Sequence, residues 1–317
     1  MIEDLAHHHP RPGTGEYDEH VREEIEHYGR IYQEDDAREN LMQPVPPAWI
    51  EAETRAAELI RRATGHDLVG HLLDRLRSTQ GARMLSLGSG PGGVELEVAR
   101  HVPEAATLCL DINPDLLQLG RERAAAEGLA VEFAEADLNT VELPAAAFDI
   151  VFCHAALHHV IELERLMVEI GRTLRPGGVL LTVDVVTRNG YLMWPETREM
   201  VAAIWKALPA RFRVNHTVYD APLIDDEIWE ADTSTAGMEC ARSEAILPAI
   251  AERFEALHYV PYFSLSRRFF DTMYGPSYDL TAPLDRAVFD WIWEMDVHYL
   301  AAKRLRPETF FGMYRPG

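Results

Sequence analysis

Two textures of hydrophobic and polar positions divide the chain. From Ala82 onward, short apolar runs alternate with amphipathic stretches, the pattern of parallel strands joined by helical crossovers. MLSLGSG (84–90) reads as a strand ending in glycines, followed by a helix over 93–101. ATLCLDI (106–112), VEFAEAD (131–137) and FDIVFCH (148–154) read as three further strands, with a helix over 114–127. Residues 160–174 predict a helix stopped by the RPGG turn, and VLLTVDVV (179–186) reads as a central strand covered on both faces.

The flanks are less regular. Residues 1–16 read as a flexible tail, and Val21, Ile25, Tyr28 and Tyr32 recur at helical spacing in the charged stretch after it. Three prolines interrupt MQPVPPAWI (42–50), and 51–78 read as two helices parted near Gly65. Residues 1–78 hold too few apolar side chains for a core of their own, so they are taken as a tail and helical cap. Residues 79–317 then form the main domain, with an irregular insertion at about 190–240. Beyond Asn189 the pattern predicts helices over 195–208, 241–256 and 282–304, and strands over 259–269 and 309–315; Trp291 and Trp293 are expected in the core.

Charge narrows the partners. Among 317 residues, 30 basic against 52 acidic give a net charge of −22. A surface so negative repels phosphate backbones and anionic lipid, which disfavours nucleic acid and membrane. No run approaches the ~18 apolar residues of a membrane span, and MIEDLAHHHPRPG lacks the basic start and apolar stretch of a signal peptide. Cys109, Cys153 and Cys240 offer neither a disulfide framework nor a paired metal motif, which fits a reducing cytoplasm. His7, His8 and His9 stand before a Pro/Gly stretch, read as a flexible tip, and no metal is expected. A homo-oligomer is left open.

The strand-to-helix junction LSLGSGPGGVELEVA carries the strongest chemical signal. Gly88, Gly90 and Gly92 allow a sharp turn and a close approach of backbone N–H groups to a ligand, and the helix after them presents its positive end. An anionic group suits that place, either a pyrophosphate or a carboxylate; Gly88, Gly90 and Gly93 also satisfy the dinucleotide fingerprint GxGxxG. Asp111 closes the second strand, where a carboxylate can accept both hydroxyls of a ribose. Asn113 before Pro114 is the better helix cap, which leaves Asp111 for a ligand. Asp137, ending the third strand, is placed to accept from an exocyclic amine.

Together with AFDIVFCHAALHHV and LRPGGVLLTVD, these segments resemble the class I, Rossmann-like methyltransferases over about 82–186. The resemblance implies a doubly wound α/β fold with a seven-stranded, mostly parallel sheet of order 3-2-1-4-5-7-6. It implies S-adenosylmethionine as cofactor, held by Gly88, Ser89, Gly90 and Gly92, by Asp111 with Ile112, by Asp137 with Leu138, and by His154. His158 and His159 follow at the carboxyl edge of the sheet, where an imidazole could take a proton from the acceptor. Tyr28, Tyr32, Tyr191 and Trp194 could wall an acceptor pocket, and Arg213 could grip an acidic group. The expected activity is methylation of a small molecule at oxygen, nitrogen or carbon. The alternatives are a saccharide or protein acceptor, or a non-catalytic protein that binds the cofactor. NAD-dependent reduction would use the glycines but leaves LRPGG and Asp137 unexplained.

Overall fold

The computed structural model describes residues 9–31, 45–218, 220–234 and 237–317. His7, His8 and Tyr32 lie outside the described residues. The main sheet is built on β1 (Arg83–Leu87), β2 (Ala106–Asp111), β3 (Val131–Glu135), β4 (Phe148–His154) and β5 (Leu174–Val185). A two-stranded ribbon, β6 (Val214–Asn215) and β7 (Leu223–Ile224), stands apart in the insertion. β8 (Phe254–Tyr262) and β9 (Thr309–Pro316) complete the large sheet in the order β3-β2-β1-β4-β5-β9-β8. Counting only its own strands, that is 3-2-1-4-5-7-6, with β9 antiparallel to both neighbours, as the sequence implied.

Each crossover helix is set by its ends. α1 (Gly15–Ile31), α2 (Pro47–Thr64) and α3 (Leu68–Arg77) precede the sheet, and α4 (Gly93–His101) and α5 (Pro114–Glu127) join its first strands. Asn113 caps α5 as expected, its side chain accepting from the N–H groups of Asp115 and Leu116, and Gly128 ends it in the left-handed region. α6 (Leu163–Thr173) and α7 (Pro195–Ala207) follow, then α8 (Ile246–Ala251), α9 (Leu265–Phe270) and α10 (Pro283–Ala301).

The two faces of the sheet are covered separately. Ala48, Ala52, Ala56 and Ile60, at i, i+4 spacing on α2, pack into the same core as Leu72, Met84, Phe152 and Leu181, so α2 and α3 are one wall of the main core. On the opposite face, Leu163, Met167 and Ile170 of α6 meet Leu85, Val151 and Leu180. Two helices stand apart from both: α5 sets Leu117 and Ala124 against Leu96, Cys109 and Phe133, and α1 joins Tyr17 and Val21 to Ile161, Met238 and Ala241.

Three expectations need correction. The helix read over 241–256 is the short α8, and the strand read over 259–269 starts earlier and ends at Tyr262, where α9 takes over. β8 is an edge strand with six of its nine side chains facing outward or half covered, so it shows little apolar run to read. Trp293 is buried, but Trp291 is exposed at 48% because α10 turns that side to solvent.

Candidate active site

One cavity of about 380 Å³ opens at the carboxyl ends of β1, β2 and β4, within the size range of small-molecule sites. The glycine loop forms its floor. Gly88 and Ser89 both donate their backbone N–H to the carbonyl of Leu110, at 2.8 and 3.1 Å, which folds the loop back against β2. Gly88 has φ +64°, and a Cβ there would stand 2.5 Å from that of Ala156, so only glycine fits where the two loops touch. Gly92 has φ +77°, and its missing side chain makes room for the Phe133 ring rather than for a ligand. It shapes the turn without lining the cavity, unlike Gly88, Ser89 and Gly90.

Two carboxylates face the cavity from neighbouring strands. Asp111 accepts from the N–H of Gly90 (2.7 Å) and of Asn113 (2.8 Å), one on each oxygen, and burial raises its pKa against those two contacts. Each oxygen keeps a second lone pair for a ligand hydroxyl. Asp137 accepts from Asn139 N–H at 2.8 Å and from the Tyr17 hydroxyl at 2.7 Å, so α1 reaches across to close this end. Ile112 and Leu138 line the cavity beside them, and His154 does so from the end of β4, its ring stacked 6.0 Å from Phe152.

At the other end, His158 and His159 lie on a single turn of 3-10 helix after β4. His158 Nδ1 is 2.6 Å from Asp184 on β5, whose other oxygen accepts from the N–H groups of Ala156 and Leu157. Asp184 is therefore fixed as an acceptor, which places a proton on Nδ1. His159 Nδ1 sits 2.7 Å from Glu24 of α1, at ion-pair distance though off the line of its N–H. Glu239 lies between the rings: its two oxygens are 3.7 Å from His158 Nε2 and 3.4 Å from His159 Nε2. Burial lowers the pKa of His159, but the Glu239 and Glu24 carboxylates outweigh it and raise it to about 9. Burial likewise opposes ionisation of Glu239, and His159 and His158 hold it well below the usual carboxylate range.

Residues 85–182 match a family model described as a methyltransferase domain. That span holds the glycine loop, both carboxylates, both histidines and most of β5. Over this span the chain carries a methyltransferase domain. A demethylmenaquinone methyltransferase of Thermus thermophilus is 33% identical over 102 residues, 32% of this chain and 46% of that protein. An uncharacterised methyltransferase of Mycobacterium tuberculosis is 34% identical over 122 residues, 38% of this chain and 60% of that protein. The chain thus spans about half the length of the curated relatives it matches. Among solved structures, the [4+2]-cyclase SpnF aligns with 78% of this chain and 79% of its own at 21% identity and a TM-score of 0.47.

Around the methyltransferase segment, the expected acceptor residues divide. Tyr28 lines the cavity, edge-on to His159, with its hydroxyl 3.3 Å from Glu239. Tyr191 donates its hydroxyl to the other Glu239 oxygen at 2.5 Å. Trp194 instead lies under the Arg306 guanidinium, and Arg213 leans on the carbonyl of Asp225; neither lines the cavity. Sequence reasoning missed Glu24, Glu239 and Asp184. It also missed Arg267, which acts electrostatically on Tyr191 and Cys240 and has no hydrogen bond or ion pair among the described residues. The spacing between HH and Asp184 offered one signal, since both end neighbouring parallel strands.

Proposed function

We propose that this protein transfers a methyl group from S-adenosylmethionine to a small-molecule acceptor. One observation carries the reading: a single cavity has the glycine loop, Asp111 and Asp137 at one end and His158 and His159 at the other. When bound, the cofactor supplies an electrophilic methyl group on a sulfonium. The residues fit it. The N–H groups at the start of α4 suit its carboxylate, Asp111 has free lone pairs for the ribose hydroxyls, and Asp137 suits the adenine amine. His154 would flank the methionine portion, with Ile112 and Leu138 against the adenosine.

The acceptor must give up a proton on methylation, and the His158, His159 and Glu239 cluster is where that proton is lost. Tyr28 walls the acceptor, and Tyr28 and Tyr191 together hold Glu239 behind the histidines. In this reading α1 and the insertion at about 190–240 close over the acceptor, while the cofactor half belongs to residues 79–186. Among the described residues no helix is long and apolar enough to cross a membrane.

Calorimetry with S-adenosylhomocysteine and with NAD tests the cofactor half. Tight binding of the first and none of the second is expected, and the reverse would replace the reading with a dehydrogenase. Mass-spectrometric screening of small molecules with nucleophilic oxygen, nitrogen or carbon for a methyl gain tests the acceptor half. Cofactor binding without methyl transfer to any of them, but with transfer to a saccharide or protein, would move the acceptor class.

A further inference from the structure

Beyond the cofactor pocket, the insertion brings Glu239 and Cys240 against His158. His158 Nε2, a Glu239 oxygen and the Cys240 sulfur all lie within 4.8 Å of one another. The separations are uneven as hydrogen bonds. His158 Nε2 to Glu239 is 3.7 Å, beyond the 2.7–3.2 Å of an N–H···O bond. They suit ligands sharing one ion instead: bonds of about 2.0–2.3 Å in tetrahedral directions put neighbouring ligand atoms about 3.3–3.7 Å apart. Cys240 Sγ lies 3.4 Å from the same oxygen, to which its thiol donates a weak hydrogen bond without an ion, and this spacing too falls in that range.

Two independent features point the same way. Asp184 accepts the hydrogen bond from His158 Nδ1–H, the arrangement in which a metal-binding histidine is held by a carboxylate behind it. Cys240 adopts φ +53°, a strained backbone for a residue with a side chain, while its thiol is fully buried against Glu239. Gly190 N–H donates to the Cys240 carbonyl at 3.1 Å and helps hold that conformation.

We propose that His158 Nε2, the Glu239 carboxylate and Cys240 Sγ bind one divalent cation of the zinc class, with its fourth position open to the acceptor. An imidazole, a carboxylate and a thiolate favour zinc over magnesium or calcium. On binding, the thiol proton is released to solvent and the sulfur bonds the ion. A coordinated acceptor oxygen would be polarised there and would lose its proton more readily. The inference rests on the functional reading only in placing the acceptor at this cluster; the ion site itself does not depend on it.

The test uses the whole 317-residue chain with His7, His8 and His9 replaced by alanine, so that these histidines bind no ions. After chelator treatment it is titrated with Zn²⁺, and separately with Co²⁺, whose thiolate bond gives a near-ultraviolet charge-transfer band. One equivalent bound per chain, with release of about one proton and a Co²⁺–thiolate band, is expected. Cys240→Ser should abolish the band, and His158→Gln should weaken Zn²⁺ at least tenfold. Asp184→Asn should weaken Zn²⁺ by about 10- to 100-fold. Circular dichroism and S-adenosylhomocysteine affinity of each variant check that it folds. Absence of the band in the folded protein, or Zn²⁺ affinity unchanged by Cys240→Ser and His158→Gln, overturns the site. Metal binding as expected without any methyl transfer would overturn the functional reading and leave the site standing.

Discussion

The hydroxyl of Tyr17 donates to the carboxylate of Asp137 at 2.7 Å, joining the first helix to the end of β3 across 120 positions of chain. Burial, followed by the Asp137 contact, drives the Tyr17 phenol far above its ordinary pKa, so it remains a donor at any working pH. It engages one lone pair of the oxygen not held by Asn139, and so competes for that carboxylate with an adenine amine. Tyr17→Phe is therefore expected to bind S-adenosylhomocysteine several-fold more tightly, while amide exchange over residues 15–31 speeds up. A hydrogen bond to a charged group is worth about 1.5–3 kcal/mol. Unchanged affinity by calorimetry would mean that phenol and ligand use different lone pairs.

Asp111 differs in kind from Asp137, because its two oxygens already hold the glycine loop and the start of α5. Asp111→Ala should lose both the ligand contact and the loop geometry. About 2–3 kcal/mol, or roughly 30- to 150-fold in Kd for S-adenosylhomocysteine, is expected from the charge-assisted contacts alone. Asp111→Asn should fare little better, because its NH₂ would face a backbone N–H. Equal affinity of Asn and wild type would remove Asp111 from the ligand.

Gly88 and Ala156 meet where the loops after β1 and β4 touch. Gly88→Ala adds a methyl group 2.5 Å from the Ala156 Cβ at φ +64°. A loss of about 1–3 kcal/mol in unfolding free energy is expected from overpacking and backbone strain together. Ala156→Gly in the same chain should restore the packing part and leave the strain. Urea midpoints of the two single variants and the double variant separate these contributions; a double variant as unstable as Gly88→Ala would leave the steric contact without effect.

What was legible in the sequence is what local pattern dictates. The glycine turn, the capping by Asn113 and the acids at strand ends each follow from a few consecutive residues, and the strand order followed from their resemblance to a known family. Glu24 and Glu239 were not legible because their role depends on tertiary approach: one lies on a polar helix, the other in an irregular insertion of a chain with 52 acidic residues. Asp184 was hidden in a strand read as apolar, although its carboxylate is tied to the loop that carries His158. Trp194 and Arg213 failed for the opposite reason. Aromatic and basic residues in an insertion are available to any neighbour, and here Arg306 and the carbonyl of Asp225 took them.

Far from the cavity, His71 should make the fold sensitive to acid. It is buried on α3, with Nε2 2.7 Å from the Thr64 hydroxyl and its ring stacked on Phe311 at 5.2 Å. Burial, with His258 and His66 beside it, lowers its pKa to about 4, against the smaller opposing pull of Asp67 and Asp74. In the unfolded chain a histidine titrates near 6.5. Between those values the unfolded state binds more protons, so stability rises with pH there and is fully present above about 6.5. As pH falls from about 6.5 toward 4, His71 is expected to withdraw stability progressively. Urea midpoints measured at pH 7.5, 6, 5 and 4.5 should fall more steeply in the wild type than in His71→Asn, which keeps a polar group for Thr64 but cannot take a proton. The variant should be less stable than wild type at pH 7.5, because it loses the ring stacked on Phe311, and the gap should narrow with acidification. Parallel curves would assign the acid sensitivity to other groups and mean that His71 takes up its proton equally in the folded and unfolded states.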